Sequence, residues 1–236
     1  MIAIYKKELR SYFQTPIGYA FAGFFLLMAG VYFYVNNMRT LSGDFTATLG
    51  SLSFVFMIVV PVLTMRLLAE ERRAKTDQML LTAPVSVTAI VIGKYLAAVT
   101  LFFATLLLTL IYPAILARYG DLPLAQILGG YLGFFLLGSA LIAVGLCMSA
   151  LSENQVTAAG SAFAVLLAIY MMDKVAPSVS VGWVAGVLSW LSAFKRFEGF
   201  ATGMLQLTAI IYYVSFSGLF VFLCVRAIEK RRWSGS

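Results

Sequence analysis

Long apolar runs constrain this chain more than any other feature of its sequence. One of them, residues 125–150, contains no charged residue, and about 20 apolar residues are enough for a helix to cross the hydrocarbon core of a membrane. The whole chain is 61% hydrophobic and 11% charged, whereas a soluble domain has about 45–50% apolar and about 25% charged residues. The sequence therefore predicts an all-α integral membrane protein. It forms one membrane domain over residues 1–236, with no separate soluble catalytic domain.

Six runs of this kind predict six transmembrane helices. Their approximate limits are residues 17–35, 51–68, 89–117, 125–150, 156–172 and 205–228. Of the 17 Lys and Arg residues, twelve fall on one side of the membrane when both termini are placed there, and five fall on the other. Because Lys and Arg are enriched in cytoplasmic loops, we expect both termini in the cytoplasm. The net charge of +7 then reflects topology and binding to anionic membrane lipid, not binding to nucleic acid.

The N-terminal segment, residues 3–15, has the pattern of an amphipathic helix. Its aromatic and apolar side chains Tyr5, Leu9, Tyr12 and Phe13 share one helical face, and its basic side chains Lys6, Lys7 and Arg10 lie elsewhere. Such a helix lies flat at the membrane surface. Pro16 disfavours helical geometry at Thr15, so we expect the chain to turn there and form an elbow helix before the first span. The alternative is one continuous helix that enters the membrane directly.

The segment between the second and third spans, residues 70–84, is the most charged part of the chain. Charged side chains at Glu71, Arg72, Arg73, Lys75 and Asp77 are followed by the apolar trio Met79, Leu80 and Leu81. Pro84 ends the predicted helix. The apolar trio beside charges favours a helix that docks a soluble partner, although the same helix could lie across the membrane surface. A third interpretation is a solvated loop that only follows the cytoplasmic bias of basic residues.

Residues 174–204, before the last span, are mixed in character. The side chains that stand out there are Trp183, Trp190, Phe194, Arg196, Phe197, Glu198 and Gly199. Trp is enriched at membrane interfaces, and the apolar part of this segment is shorter than a full crossing. We therefore predict an outer re-entrant helical segment, which dips into the membrane and returns. The alternative, a seventh crossing, would place the basic C-terminal tail outside.

Several kinds of chemistry have no support in the sequence. Histidine, the commonest general base and metal ligand, is absent, and Cys147 and Cys224 lie inside apolar runs as small core residues. No ionisable residue lies near the middle of a predicted span, where one would mark a proton or ion path, and the phosphate loop GxxxxGKS/T is absent. We predict no catalytic residue, no metal site and no cofactor bound by this chain. This argues against a membrane-embedded enzyme and against a stand-alone carrier or channel.

Small residues repeat every four positions in two spans. They are Gly129 and Gly133 in the fourth span, and Gly160, Ala164 and Ala168 in the fifth. This spacing lets membrane helices approach closely. Gly and Ala are also common in such helices without that role, and the sequence leaves both interpretations open.

Three stretches of the chain resemble a known family. They are YKKELRSYFQTPIGYAF at 5–21, EERRAKTDQMLLTAPVSVTAIVIGKYLA at 70–97, and the segment from LSAFKRFEGF to AIEKRRW at 191–233. They resemble parts of ABC type-2 transporter permease subunits. The first stretch resembles the elbow helix and first span of that family, and the second resembles its coupling helix and third span. The last stretch resembles its outer re-entrant segment and last span. The resemblance is greatest to the gliding-motility-associated, GldF-like branch, with NosY-like permeases nearby.

The resemblance implies a function. The chain would be the permease subunit of an ATP-driven exporter in a bacterial cytoplasmic (inner) membrane, paired with a second permease copy or with an accessory membrane subunit that has a large soluble domain. A separate cytoplasmic ABC ATPase, which binds ATP and magnesium, would dock on the coupling helix with support from the elbow helix. ATP hydrolysis there would move the permeases and translocate a substrate that the sequence does not name.

Overall fold

The structure is a computed structural model that describes residues 1–74, 85–119, 123–175, 192–201, 203 and 206–234. Its helices are α1 (Ile2–Gln14), α2 (Pro16–Phe33), α3 (Thr46–Thr64), α4 (Ala69–Arg73), α5 (Val87–Leu108), α6 (Ile111–Leu116), α7 (Leu124–Leu151), α8 (Gln155–Val175), α9 (Ala193–Ala201) and α10 (Leu207–Ser234). A π-helical turn, Tyr34–Met38, extends α2. These residue ranges contain no β-strand, so the all-α prediction is confirmed.

Six helical segments in the described part of the chain are long and apolar enough to cross a membrane. They are Pro16–Met38, Thr46–Arg73, Val87–Leu116, Leu124–Leu151, Gln155–Met172 and Leu207–Lys230. Each of the six predicted spans is therefore confirmed as a long apolar helix, with differences at the ends. The second span begins at Thr46, before the predicted limit at residue 51. Asp44 accepts a hydrogen bond from the Thr46 backbone N–H (2.9 Å), which satisfies a donor that a helix start leaves open.

A sharp break separates α1 from α2. Thr15 is extended (φ −111°, ψ 153°), and Pro16 is the first residue of α2, where its missing N–H removes no helical hydrogen bond. The turn brings the two helices so close that a Cβ at Gly18 would lie 2.3 Å from the Tyr12 carbonyl oxygen. The chain therefore turns at Thr15 and does not continue as one helix. The position of α1 relative to a membrane surface stays a prediction.

Aromatic rings from four helices form the centre of the bundle. Phe56 of α3 lies 5.8 Å from Phe25 of α2, measured between ring centroids, and 4.4 Å from Phe102 of α5. Phe134 of α7 lies 5.9 Å from Phe102. All four rings are buried at separations where aromatic pairs attract each other. The spans that contain α3 and α7 have the largest shares of buried residues, and those that contain α2, α8 and α10 have the smallest.

The repeated small residues have different surroundings in the two spans. A Cβ at Gly133 of α7 would lie 2.6 Å from the Phe200 side chain, and one at Gly129 would lie 3.1 Å from the Phe200 carbonyl oxygen. Close approach therefore occurs at this repeat, but against α9 and not against another span. Gly160 of α8 has open space around it, and the two alanines of its repeat are exposed. The repeat on α8 thus faces outward from the single chain.

Candidate coupling site

A group of ion pairs joins α1, α4 and the beginning of α5 at one end of the bundle, which we call the α1 end. The Lys94 ammonium of α5 lies 2.8 Å from Glu8 Oε1 of α1 and 2.9 Å from Glu71 Oε1 of α4. Lys7 Nζ lies 3.7 Å from the same Glu71 oxygen. We refer to Lys94, Glu8 and Glu71 as the Lys94 cluster. One ammonium thus bridges two carboxylates that come from two other helices.

Within the Lys94 cluster the lysine is buried and the two carboxylates are partly buried, although all three groups are ionisable. The Lys94 side chain is 2% exposed, and those of Glu8 and Glu71 are 14% and 17% exposed. Removing a charge from water is costly unless the charge is paired and hydrogen-bonded, and here the two carboxylates supply that pairing. Lys7, by contrast, is 66% exposed. The same Glu71 oxygen therefore faces one buried cation and one solvated cation.

Close packing of α1 on α5 brings these charges together. A Cβ at Gly93 would lie 3.2 Å from the Ile4 side chain, so a larger residue at this position would press against α1. Farther along the same two helices, the Tyr5 hydroxyl donates to Thr100 Oγ1 (3.1 Å). These contacts hold α1 along the side of α5.

α1 is also attached to α3. The Tyr12 hydroxyl donates to the Leu63 carbonyl oxygen (3.1 Å), and the Tyr12 side chain is buried. Burial raises the pKa of Tyr12, because loss of solvation disfavours the phenolate. The hydroxyl therefore remains a hydrogen-bond donor at physiological pH, and α1 is held on both α3 and α5.

The seven predicted elbow residues lie on two sides of α1. Buried or half-buried against the bundle are Tyr5, Leu9 and Tyr12, and exposed are Lys6, Lys7, Arg10 and Phe13. Phe13 is 50% exposed, so it does not share the buried face with the other three apolar side chains. Its ring instead lies 6.4 Å from the Tyr19 ring, edge to face. Contact of this exposed side with membrane lipid stays a prediction.

The other side of α4 is attached to the turn between α7 and α8. Arg72 donates to the Ser152 carbonyl oxygen and to Glu153 Oε1, both at 3.0 Å. The backbone N–H of Ala69 donates to Ser149 Oγ (3.1 Å). The beginning of the charged segment is thus fixed between α5 on one side and the α7–α8 turn on the other.

The structure describes three of the predicted docking residues. Glu71 belongs to the Lys94 cluster, Arg72 makes the contacts just given, and Arg73 is exposed. The others, Lys75, Asp77, Met79, Leu80 and Leu81, lie outside the described residues. Glu71 and Arg72 therefore make contacts within the chain, a use that the charge pattern did not predict.

The opposite end of the bundle, which we call the α9 end, contains α9. Phe197 and Phe200 are buried there, and the Phe197 ring centroid lies 6.1 Å from that of Phe134 in α7. The Arg196 guanidinium lies 4.1 Å from the Tyr212 ring centroid of α10, a cation–π distance. Aromatic rings thus hold α9 on α7 and α10.

The three remaining predicted residues of the outer segment that the structure describes have different surroundings. Phe194 is buried with its ring 5.1 Å from that of Tyr170, Glu198 is exposed, and Gly199 lies close to the Gln206 side chain. Trp183 and Trp190 lie outside the described residues. Both the re-entrant path and the alternative seventh crossing therefore stay predictions.

Sequence reasoning missed Glu8 as a site residue and treated Lys94 only as the entrance to the third span. Two signals could have found them. Lys94 is the single charge in the apolar stretch 85–117, and Glu8 is the single acid among the basic residues of α1. An isolated charge in an apolar helix requires a partner, but the sequence does not say which one.

Comparison with known protein families identifies a match over most of the chain. Residues 32–228 match the family described as ABC-2 family transporter protein. The matched region begins near the end of α2 and ends within α10, so it includes Glu71 and Lys94, while α1 with Glu8 precedes it. No curated protein matches the chain.

Proposed function

We propose, since this chain belongs to the ABC-2 family of transporter proteins, that it is the permease subunit through which a separate cytoplasmic ATPase drives export. Family membership together with six apolar helices shows a multi-pass membrane component of an ABC transporter, which takes part in transport and is not itself the catalyst. The proposal adds the energy source, the direction of transport and the place where the ATPase acts.

The attachment of α4 is the observation that supports the proposal most directly. α4 begins the charged segment, and it is bonded to α1 and α5 through Lys94 and to the α7–α8 turn through Arg72. A partner that pushed on this segment would act on several spans at once, whereas a solvated loop would need no such attachment. We assign docking to Arg73, Lys75, Asp77, Met79, Leu80 and Leu81. Glu71 and Arg72 hold the base of the docking segment in place.

A second membrane subunit completes the transporter in this proposal. It is a second copy of this chain or, as in the GldF-like branch that the sequence resembles, an accessory membrane subunit with a large soluble domain. The outward-facing repeat that begins at Gly160 of α8 supports close contact with another helix, because small residues let membrane helices approach.

The proposed orientation places the α1 end in the cytoplasm of a bacterial cell, at the inner membrane. The exposed basic side chains of α1 then face the anionic inner leaflet, and both termini lie on that side. ATP and magnesium are bound by the ATPase subunit, and this chain contributes no catalytic residue. The experiment therefore has to distinguish ATP hydrolysis by a bound ATPase from any activity of this chain alone.

Co-purification from native membranes tests the docking assignment. The tagged chain is isolated in mild detergent, and Mg²⁺-dependent ATP hydrolysis is measured in the eluate. Arg73→Glu and Leu80→Asp should each remove most of that activity while the chain still inserts. Arg39→Glu, which reverses an exposed charge at the far end of α2, is the matched control and should leave the activity in place. Arg72→Glu is avoided because it would also break the contact with Glu153.

Two results would contradict the proposal in different ways. An eluate with unchanged ATP hydrolysis after both docking substitutions would show that the ATPase binds elsewhere. Hydrolysis of ATP by the purified chain with no ATPase present would remove the premise that energy comes from another subunit.

A further inference from the structure

We infer that Lys94 is a positioning residue for coupling: its buried ammonium makes α1, α4 and the first turns of α5 move as one unit, so that a push on the docking segment reaches the third span. This inference deepens the proposed function and rests on it. Lys94 acts through Glu8 and Glu71 and need not touch the ATPase.

Side-chain ion pairs join α4 directly to α5 and, through the same ammonium, to α1. Lys94 bonds to Glu71 of α4 at 2.9 Å, and the same ammonium bonds to Glu8 of α1 at 2.8 Å. Glu8 lies on α1, which packs along α5. Its carboxylate therefore helps to keep the Lys94 ammonium pointing toward Glu71 of α4. A displacement of α4 is therefore resisted by α1 and α5 together.

Ion pairs define the register of these helices more strictly than apolar contacts would. An ammonium has three donors, and two of them serve carboxylates from different helices. Sliding one helix along another far enough to separate Lys94 from Glu8 or Glu71 would leave a buried charge without its partner, which is costly. Apolar surfaces tolerate such sliding because hydrophobic contact is non-directional.

Lys7 provides a comparison within the same site. Its ammonium approaches the same Glu71 oxygen at 3.7 Å, but its side chain is 66% exposed, so water can replace the contact. Lys7 and Lys94 thus differ in burial and in the number of helices that they join. If coupling required only a positive charge near Glu71, substitution of Lys7 and substitution of Lys94 would have equal effects on it.

The first measurement needs no ATPase. Nitroxide labels are attached at Lys6→Cys in α1 and Ala74→Cys beside α4, both exposed positions, and the label distance is measured in lipid nanodiscs by pulsed electron resonance. Cys147 and Cys224 are buried and stay in the chain. Lys94→Met should broaden the distance distribution, and Lys7→Met should leave it narrow. A narrow distribution in Lys94→Met would overturn the inference.

The second measurement separates positioning from simple structural support. In the variant Lys94→Met with Glu8→Gln and Glu71→Gln, no buried charge is left without a partner, so the chain should fold and insert. We expect this variant to bind the ATPase but to stimulate ATP hydrolysis roughly tenfold less than the unmodified chain, which lies within the usual range of coupling between two sites. Lys174→Met, which removes an exposed lysine of α8, is the control for stimulation. Full stimulation of the ATPase by the triple variant would overturn the inference.

The two proposals fail in distinguishable ways. If the unmodified chain binds no ATPase, the proposed function is wrong, and the label distances show by themselves whether Lys94 holds α1 on α4. If the ATPase binds and is stimulated normally by the triple variant, the proposed function stands and the role of Lys94 does not.

Discussion

At the α1 end of the bundle, Lys94 bonds to carboxylates of two other helices at 2.8 and 2.9 Å. At the α9 end, the Phe200 side chain lies so near α7 that a Cβ at Gly133 would be 2.6 Å from it. Contacts of the first kind depend on direction and on charge neutrality, and contacts of the second kind depend on shape. The α1 end is therefore joined by directional contacts between charges, whereas the α9 end is joined by closely fitting side chains. Substitutions at the two ends should therefore lower the stability for different reasons, and different second substitutions should restore it.

The largest effect is expected from Lys94→Met at the α1 end. This change leaves Glu8 and Glu71 near each other without their buried cation, and breaking a buried ion pair by removing one partner costs about 3–5 kcal/mol. We expect the free energy of unfolding in detergent micelles to fall by that amount. Adding Glu8→Gln and Glu71→Gln should recover much of it, because the unpaired charges are then gone. Thermal unfolding of the three proteins provides the measurement.

A failure of this repair would be informative. If Lys94→Met and the triple variant were equally unstable, lost packing around the lysine stem would explain the effect. The α1 end would then depend on shape in the same way as the α9 end, and the contrast between them would disappear.

The second prediction concerns Gly133 at the α9 end. Gly133→Ala introduces a Cβ against the Phe200 side chain, and overpacking of this kind costs about 1–3 kcal/mol. In a Phe200→Gly background, which also removes the Phe200 Cβ that lies nearest to the new methyl group, that group has room, so the cost should vanish or change sign. A double-mutant cycle by thermal unfolding measures this coupling. The same cost in both backgrounds would show that Phe200 does not fill the space over Gly133.

The sequence predicted the spans and the break before the first span, because both depend on local patterns. Each apolar run is long enough by itself to cross a membrane, and Pro16 acts on the residue directly before it. The spacing of Gly129 and Gly133 also indicated a close approach. It did not identify α9 as the partner, because a repeat marks a face of a helix and not the surface that the face meets.

The Lys94 cluster could not be predicted in the same way. Lys94 and Glu8 are 86 residues apart in the chain, and no periodicity relates them. The pairing arises because Gly93 lets α1 pack closely on α5, which is a tertiary feature. For the same reason the charge pattern of residues 70–84 predicted a docking segment but not that Glu71 and Arg72 hold its base.

The third prediction tests the attachment of α4 on its other side. Arg72 bonds to the Ser152 carbonyl and to Glu153, but its side chain is 28% exposed and that of Glu153 is 81% exposed. Arg72→Met should therefore lower the free energy of unfolding by about 1 kcal/mol, less than the loss of Lys94. Arg73→Met, which changes the exposed neighbour, should stay within about 0.5 kcal/mol of the unmodified chain. Equal effects of the two substitutions would show that the contacts of Arg72 do not stabilise the fold.

The smallest effect is expected from Lys7→Met, and its salt dependence sharpens the comparison. Exposed ion pairs contribute about 0–1 kcal/mol to stability. Salt at about 1 M reduces the screening length to about 3 Å. That length is shorter than the 3.7 Å between Lys7 Nζ and Glu71 Oε1. The stability difference between Lys7→Met and the unmodified chain should therefore disappear in high salt. The difference for Lys94→Met should persist, because ions in solution do not reach a side chain that is 2% exposed. Unfolding curves at low and high salt provide the test. If high salt abolished the stability difference for Lys94→Met, the Lys94 cluster would be solvated and could not hold three helices in register.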